Sequence, residues 1–70
     1  MKKFNFIEAF NGAQVVTRCG LDVSIMQFEM NNKKYPIVAR ICETNQVELY
    51  TIDGFINDSN HTDDFDLMLK

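Results

Sequence analysis

Few residues of this chain have the types and spacing that catalysis needs. His61 is the only histidine, so a Cys-His or Ser-His nucleophilic pair would have to use it as the base. It lies in the polar stretch 57–64, NDSNHTDD, where we expect a solvated loop without the fixed geometry of proton transfer. The sequence contains no glycine-rich phosphate loop, no GxSxG elbow and no HExxH helix. We therefore predict that the protein is not an enzyme.

Metal sites are not indicated either. A calcium loop of the helix–loop–helix type requires Gly at its sixth position and an acidic ligand at its twelfth. In a loop that begins at Asp58, Asp63 occupies the sixth position and Leu69 the twelfth. Cys19, Cys42 and His61 stand alone, without the spacing of zinc ligands. We predict no metal and no cofactor, although oxygen-bearing side chains do alternate here as in a calcium loop: Asp58, Asn60, Thr62 and Asp64.

Two arginines are better placed for binding. Arg18 ends a predicted strand beside a turn, and Arg40 interrupts an otherwise apolar strand. Guanidinium groups bind phosphate and carboxylate through paired hydrogen bonds. One interpretation pairs them across the sheet with Glu48, Asp22 or Glu29. The other gathers them around a small anionic nucleotide whose base stacks on tyrosines. The residues of that ligand site are Thr17, Arg18, Tyr35, Arg40 and Tyr50.

Charge is divided unevenly along the chain. Residues 1–42 hold six Lys and Arg against three Asp and Glu, whereas residues 43–70 hold one Lys against seven Asp and Glu. With a net charge of −3, the chain does not attract duplex DNA, which is bound through Lys and Arg. The acidic half favours docking onto a basic protein surface. The carboxylates expected to contact that partner are Asp58, Asp63, Asp64 and Asp66.

The elements that must position these residues are short strands separated by turns. The pair Ile25 and Met26 breaks the apolar-polar alternation, which predicts a β-bulge or burial on both faces. Asn5 and Gly12 suit the two ends of a short helix over residues 5–11. Strands are predicted at 14–18, 23–30, 35–42, 47–52 and 65–69. Residues 1–70 thus form one mainly β domain, an antiparallel meander or half-open SH3-like barrel of four or five strands with an N-terminal helix.

The small size of the domain bears on location and assembly. No apolar stretch has the length of a signal peptide or a membrane span, which predicts a cytoplasmic protein. In the cytoplasm, Cys19 and Cys42 are expected as buried thiols and not as a disulfide.

Seventy residues cannot bury every Phe and Met, and leftover apolar surface marks a partner site. Residues 14–17 lack the Lys or Pro that guards an edge strand. We therefore expect the first or last strand to be covered by the helix or by a second copy, with a dimer favoured.

Four segments together resemble a family of short, largely uncharacterised proteins of phages and related mobile elements. They are VVTRCG at 15–20, YPI at 35–37, YTIDG at 50–54 and DLML at 66–69. Cys19 stands where the family has an acidic residue. The resemblance implies a phage-like origin and assigns no activity.

Many small phage proteins counteract host defence by binding. We therefore expect a non-enzymatic protein that inhibits a host protein through its acidic half, in the cytoplasm of an infected or lysogenic bacterial cell. Two alternatives remain: an oligomeric sponge that sequesters an anionic nucleotide signal, and a small structural component of a virion or complex.

Overall fold

The computed structural model describes residues 1–29, 31–56 and 62–70. These residues form a single antiparallel sheet with one short helix, which confirms the predicted mainly β class. The elements in chain order are β1 (Lys2–Lys3), α1 (Phe6–Phe10), β2 (Val15–Thr17), β3 (Asp22–Phe28), β4 (Ile37–Ile41), β5 (Gln46–Tyr50) and β6 (Leu67–Leu69).

The strand order in the sheet is β1-β6-β2-β3-β4-β5. Strands β2 to β5 form the predicted meander, and β6 then returns to pair with β2, with Val15 opposite Leu69. The prediction of four or five strands is corrected, because the described residues form six. The additional strand is β1, where Lys2 pairs with Leu69. Two exposed lysines carry no β signal in the sequence, because this pairing uses the main chain.

The predicted edge is also corrected. The segment at 14–17 is not a free edge, because β2 lies between β6 and β3. The last strand, β6, lies between β1 and β2. Other strands of the same chain therefore cover the first and last predicted strands, and neither the helix nor a second copy is needed for that. The edges of this open sheet, within the described residues, are β1 and β5.

The main core cluster lies on the face of β4 that carries Ile37 and Ala39, whereas β2 is buried on both faces. Strand β4 shows the alternation most clearly, since Ile37, Ala39 and Ile41 have no exposed surface while Val38 and Arg40 are half-buried. Side chains point alternately to the two faces of a strand, so a period of two in burial identifies the core face. The main cluster of buried residues comprises Phe4, Val15, Ile37, Ala39, Tyr50, Leu67 and Leu69.

The predicted helix is present as α1, and it packs against the core with Phe6 in contact with Phe28 at a ring-centroid distance of 4.5 Å. Its start is fixed by Asn5, whose Oδ1 accepts a hydrogen bond from Glu8 N at 3.0 Å. Gly12 follows with a φ of +99°, which suits the end of a helix. No helix of the described segments is long and apolar enough to cross a membrane.

The predicted bulge is present in β3. The register with β4 shifts between Ile25 and Gln27, which leaves Met26 as the extra residue, 56% exposed. The cysteine prediction is half correct. Cys19 and Cys42 are free thiols, but both are exposed and not buried, because one lies in a turn and the other follows the end of β4.

Candidate functional site

The exposed surface of β5 is the strongest candidate site in the described part of the chain. Val47 and Leu49 are 51% and 46% exposed although they belong to a strand. An open groove of about 300 Å³ lies beside them, lined by Tyr35, Val47, Glu48, Leu49 and Ile56. We call these five residues the β5 groove. The groove is mainly apolar, and it contains one carboxylate, that of Glu48.

The main chain of β5 faces two directions. Cys42 N donates a hydrogen bond to Asp22 O at 2.9 Å, so the main-chain N–H and C=O groups of residue 42 point towards β3. The direction of the main-chain N–H and C=O groups alternates from one residue of a strand to the next. The groups of Ile37, Ala39 and Ile41 therefore point towards β5. Their partners in the register are Tyr50, Glu48 and Gln46.

Residues 47 and 49 of β5 lie between these bonded pairs. The N–H and C=O groups of Val47 and Leu49 therefore point away from β4. No hydrogen bond from these groups to another described segment is present. The free edge of β5 thus presents two N–H and two C=O groups, which is the pattern to which an additional strand bonds.

Tyr50 forms the buried end of β5. The hydroxyl of Tyr50 donates a hydrogen bond to Phe65 O at 2.8 Å. Burial raises the pKa of this hydroxyl well above its usual range, and the nearby carboxylates of Glu48, Asp66 and Asp63 raise the pKa further. The raised pKa keeps the hydroxyl protonated, so it remains a donor to Phe65 O.

Asp66 is corrected as a partner-binding residue. It is 1% exposed, and its carboxylate accepts hydrogen bonds from Ile56 N at 3.0 Å and Asp63 N at 2.9 Å. Its Oδ2 lies 3.5 Å from Arg18 Nη2. A buried carboxylate with these partners holds the C-terminal segment in place, and no partner protein can reach it in this conformation.

The other predicted acidic contacts differ in availability. Asp64 is exposed. Asp63 is half-buried, and its Oδ1 accepts a hydrogen bond from Phe65 N at 2.8 Å. Asp58 lies outside the described residues, as does His61. The acidic surface that the structure presents near the C-terminus therefore includes Asp63 and Asp64.

The predicted nucleotide site is not assembled. Thr17 and Tyr50 have no exposed surface, so neither can contact a ligand from solvent. Arg18 contacts Asp66, and Arg40 Nη1 donates to Asn45 Oδ1 at 2.9 Å. These two contacts also replace the cross-strand ion pairs expected for the arginines. Tyr35 lines the β5 groove instead.

The buried position of Thr17 has a structural reason. Its Oγ1 accepts a hydrogen bond from Leu21 N at 2.9 Å, which closes the turn between β2 and β3. No group of three or more His, Cys, Asp or Glu residues able to hold a metal ion occurs within residues 1–29, 31–56 and 62–70.

No protein-family model, curated protein or solved structure matches this chain. Sequence reasoning identified β5 as a strand but did not place it at an edge. The alternation of Val47 and Leu49 with Gln46 and Glu48 predicts a strand with one apolar face, but it carries no signal that the strand lies at an edge.

Proposed function

We propose that this protein acts by binding another protein, and that it inhibits a host protein in the cytoplasm of an infected bacterial cell. The observation that carries the proposal is the β5 groove, where Val47 and Leu49 are about half exposed on a strand that no other described strand covers on its outer side. Contiguous apolar surface rimmed by polar groups is typical of protein interaction sites. The resemblance to phage proteins supports the choice of a host protein as the partner.

The expected partner has a basic surface. Glu48 lies in the groove, Asp64 is exposed, and the whole chain carries a net charge of −3. Opposite charges across an interface accelerate association and orient the two partners. We propose a non-enzymatic interaction whose strength depends on salt concentration, because Asp64 is exposed to solvent.

The test is capture of a partner from host lysate, followed by affinity measurement on the purified complex. We choose the double variant Asp63→Asn and Asp64→Lys, because an Asn at position 63 keeps an oxygen acceptor for Phe65 N. The matched control, Glu8→Lys with Asp22→Asn, makes the same change in net charge outside the acidic half.

We expect the Asp63/Asp64 variant to bind at least about tenfold more weakly, which corresponds to about 1.4 kcal/mol. The control should retain affinity, and raising the salt concentration should weaken the wild-type complex. Equal affinity of the two double variants, or an affinity independent of salt, would show that the acidic surface is not the docking surface.

A further inference from the structure

The mode of binding can be specified further, on the assumption that the proposed function is correct. We propose that the partner supplies an extended segment that adds to β5 as a seventh strand, with a basic residue between two apolar residues. Strand addition of this kind takes its affinity from main-chain hydrogen bonds and its specificity from alternate side chains.

Within residues 1–29, 31–56 and 62–70, the main-chain groups required for this addition have no hydrogen-bond partner, and they lie close together. Val47 and Leu49 direct their N–H and C=O groups away from β4, as the pairing of Gln46, Glu48 and Tyr50 with β4 shows. An antiparallel segment can therefore form four hydrogen bonds with β5. The β5 groove provides about 300 Å³ beside these groups, which is space for side chains of the added strand.

The side chains of β5 define the sequence pattern of the segment. Val47 and Leu49 lie on one face, and they are 51% and 46% exposed. Glu48 lies between them and points to the other face, because side chains alternate along a strand. Residues directly opposite each other in an antiparallel pair contact through their side chains. The segment therefore requires apolar residues opposite Val47 and Leu49, and Lys or Arg opposite Glu48.

Charge disfavours a second copy of this chain as the occupant. If two β5 strands paired so that Val47 and Leu49 of each copy formed all four bonds, the two Glu48 side chains would be directly opposite each other. Like charges in that position are destabilising. The same geometry favours a foreign strand with a cation at this position.

The two edges of the sheet differ in a way that supports the proposal. The edge strand β1 has only two residues, both lysines and both exposed. Short, lysine-rich edges are a common protection against unwanted pairing. Strand β5 has five residues and no Lys or Pro. Its edge is therefore the one that remains suited to pairing with another chain.

The experiment titrates isotope-labelled full-length protein with a synthetic peptide of about seven residues, a typical strand length. The peptide has one lysine between two valines, flanked by threonines. We expect the amide signals of Val47 and Leu49 to shift and their hydrogen exchange to slow. Replacing the lysine by glutamate should weaken binding by more than about tenfold, since attraction to Glu48 becomes repulsion.

N-methylated peptides provide a matched control for the main-chain bonds. In the proposed register the valine N–H groups face β5, whereas the lysine N–H faces solvent. Methylation of the valine nitrogens should abolish measurable binding, because it removes two donors and blocks close approach. Methylation of the lysine nitrogen should change the dissociation constant less than about threefold. Equal effects of the two modifications, or peptide-induced shifts that omit Val47 and Leu49, would overturn the proposal.

Two further measurements separate this inference from the proposed function. In the captured complex, Leu49→Pro should prevent binding because it removes an outward N–H, while the β4 bonds of Gln46, Glu48 and Tyr50 remain. Leu49→Val, which keeps the N–H, should bind normally. A complex that is sensitive to the Asp63/Asp64 variant but unaffected by Leu49→Pro would refute strand addition and leave the proposed function standing. If the amide signal of Val47 shifts with protein concentration in the absence of peptide, the edge pairs with a second copy. That result would also refute the addition of a foreign strand.

Discussion

Arg18 Nη2 lies 3.5 Å from Asp66 Oδ2, and this contact joins the turn after β2 to the residue that precedes β6. The main chain strengthens the connection, since Arg18 N donates to Asp66 O at 2.8 Å. The same carboxylate accepts hydrogen bonds from Ile56 N and Asp63 N. One buried side chain therefore connects three separate segments of the chain.

Replacing this carboxylate should destabilise the fold. In Asp66→Asn, the amide NH₂ would face a group that is itself a donor, either a main-chain N–H or the Arg18 guanidinium. We expect the free energy of unfolding to fall by about 2–4 kcal/mol, because buried donors lose their acceptor. Urea denaturation measures this loss. The matched control is Asp64→Asn at an exposed position, which should change stability by less than about 0.5 kcal/mol. Equal effects at the two positions would contradict the buried role of Asp66.

The buried hydroxyl of Tyr50 should make stability depend on alkaline pH. Its pKa is raised in the folded protein, whereas in the unfolded chain it has the ordinary value of about 10. Above that pH the unfolded state loses the proton first, so the free energy of unfolding falls, by at most about 1.4 kcal/mol per pH unit. Below that pH the hydroxyl is protonated in both states, and Tyr50 makes its full contribution to the free energy of unfolding.

The variant Tyr50→Phe isolates this contribution. It lacks the hydrogen bond to Phe65 O and should be about 1 kcal/mol less stable than wild type at neutral pH. Urea denaturation between about pH 8 and pH 11 should show the difference between the two proteins shrinking as the pH rises. A difference that stays constant over this range would mean that the hydroxyl titrates equally in both states.

Two glycines with similar backbone angles should respond differently to alanine. Gly54 has a φ of +89°, and a Cβ there would lie 2.8 Å from Phe4 Cγ. Gly20 has a φ of +94°, and a Cβ there meets nothing within 4 Å. We expect Gly20→Ala to cost about 1–2 kcal/mol of backbone strain. Gly54→Ala should cost about 1–3 kcal/mol more, because Phe4 is buried and must move. Thermal unfolding of both variants measures the difference, and equal losses would show that Phe4 adapts freely.

The dimer predicted from chain size stays a prediction, and the apolar surface of α1 is where it should form. Ile7 and Phe10 are 68% and 66% exposed and lie three residues apart on the helix. Sedimentation at micromolar concentration should show a dimer of the wild type and a monomer of Phe10→Lys. Val47→Lys, on the edge strand, should remain dimeric. A wild-type monomer at every concentration tested would contradict the prediction.

Local patterns in the sequence predicted local structure well. The helix was found from Asn5 and Gly12, and the bulge was found from adjacent apolar residues at 25 and 26. In each case the determining interaction lies within a few residues or in the alternation of one strand, and therefore leaves a pattern in the sequence.

Long-range contacts were not predictable in the same way. Asp66 belongs to an acidic stretch, so its sequence neighbours indicated a solvent-exposed carboxylate. Its actual partners, Arg18 and Ile56, are distant in the sequence. The position of β5 at an edge was missed for the same reason, since it depends on where β6 pairs and not on the residues of β5. The prediction of a nucleotide site was wrong because the side chains of Thr17 and Tyr50 lie in the interior.

The return of β6 to the middle of the sheet affects the order in which the molecule is built. Strands β3, β4 and β5 are joined by short connections and can pair as soon as they are synthesised. Strand β2 receives its second neighbour only when residues 67–69 are available, because Val15 pairs with Leu69. A growing chain therefore exposes one edge of β2 until the sheet is complete. During that interval an unrelated strand can pair there, so the rate at which β6 docks sets how long the nascent protein is prone to aggregate.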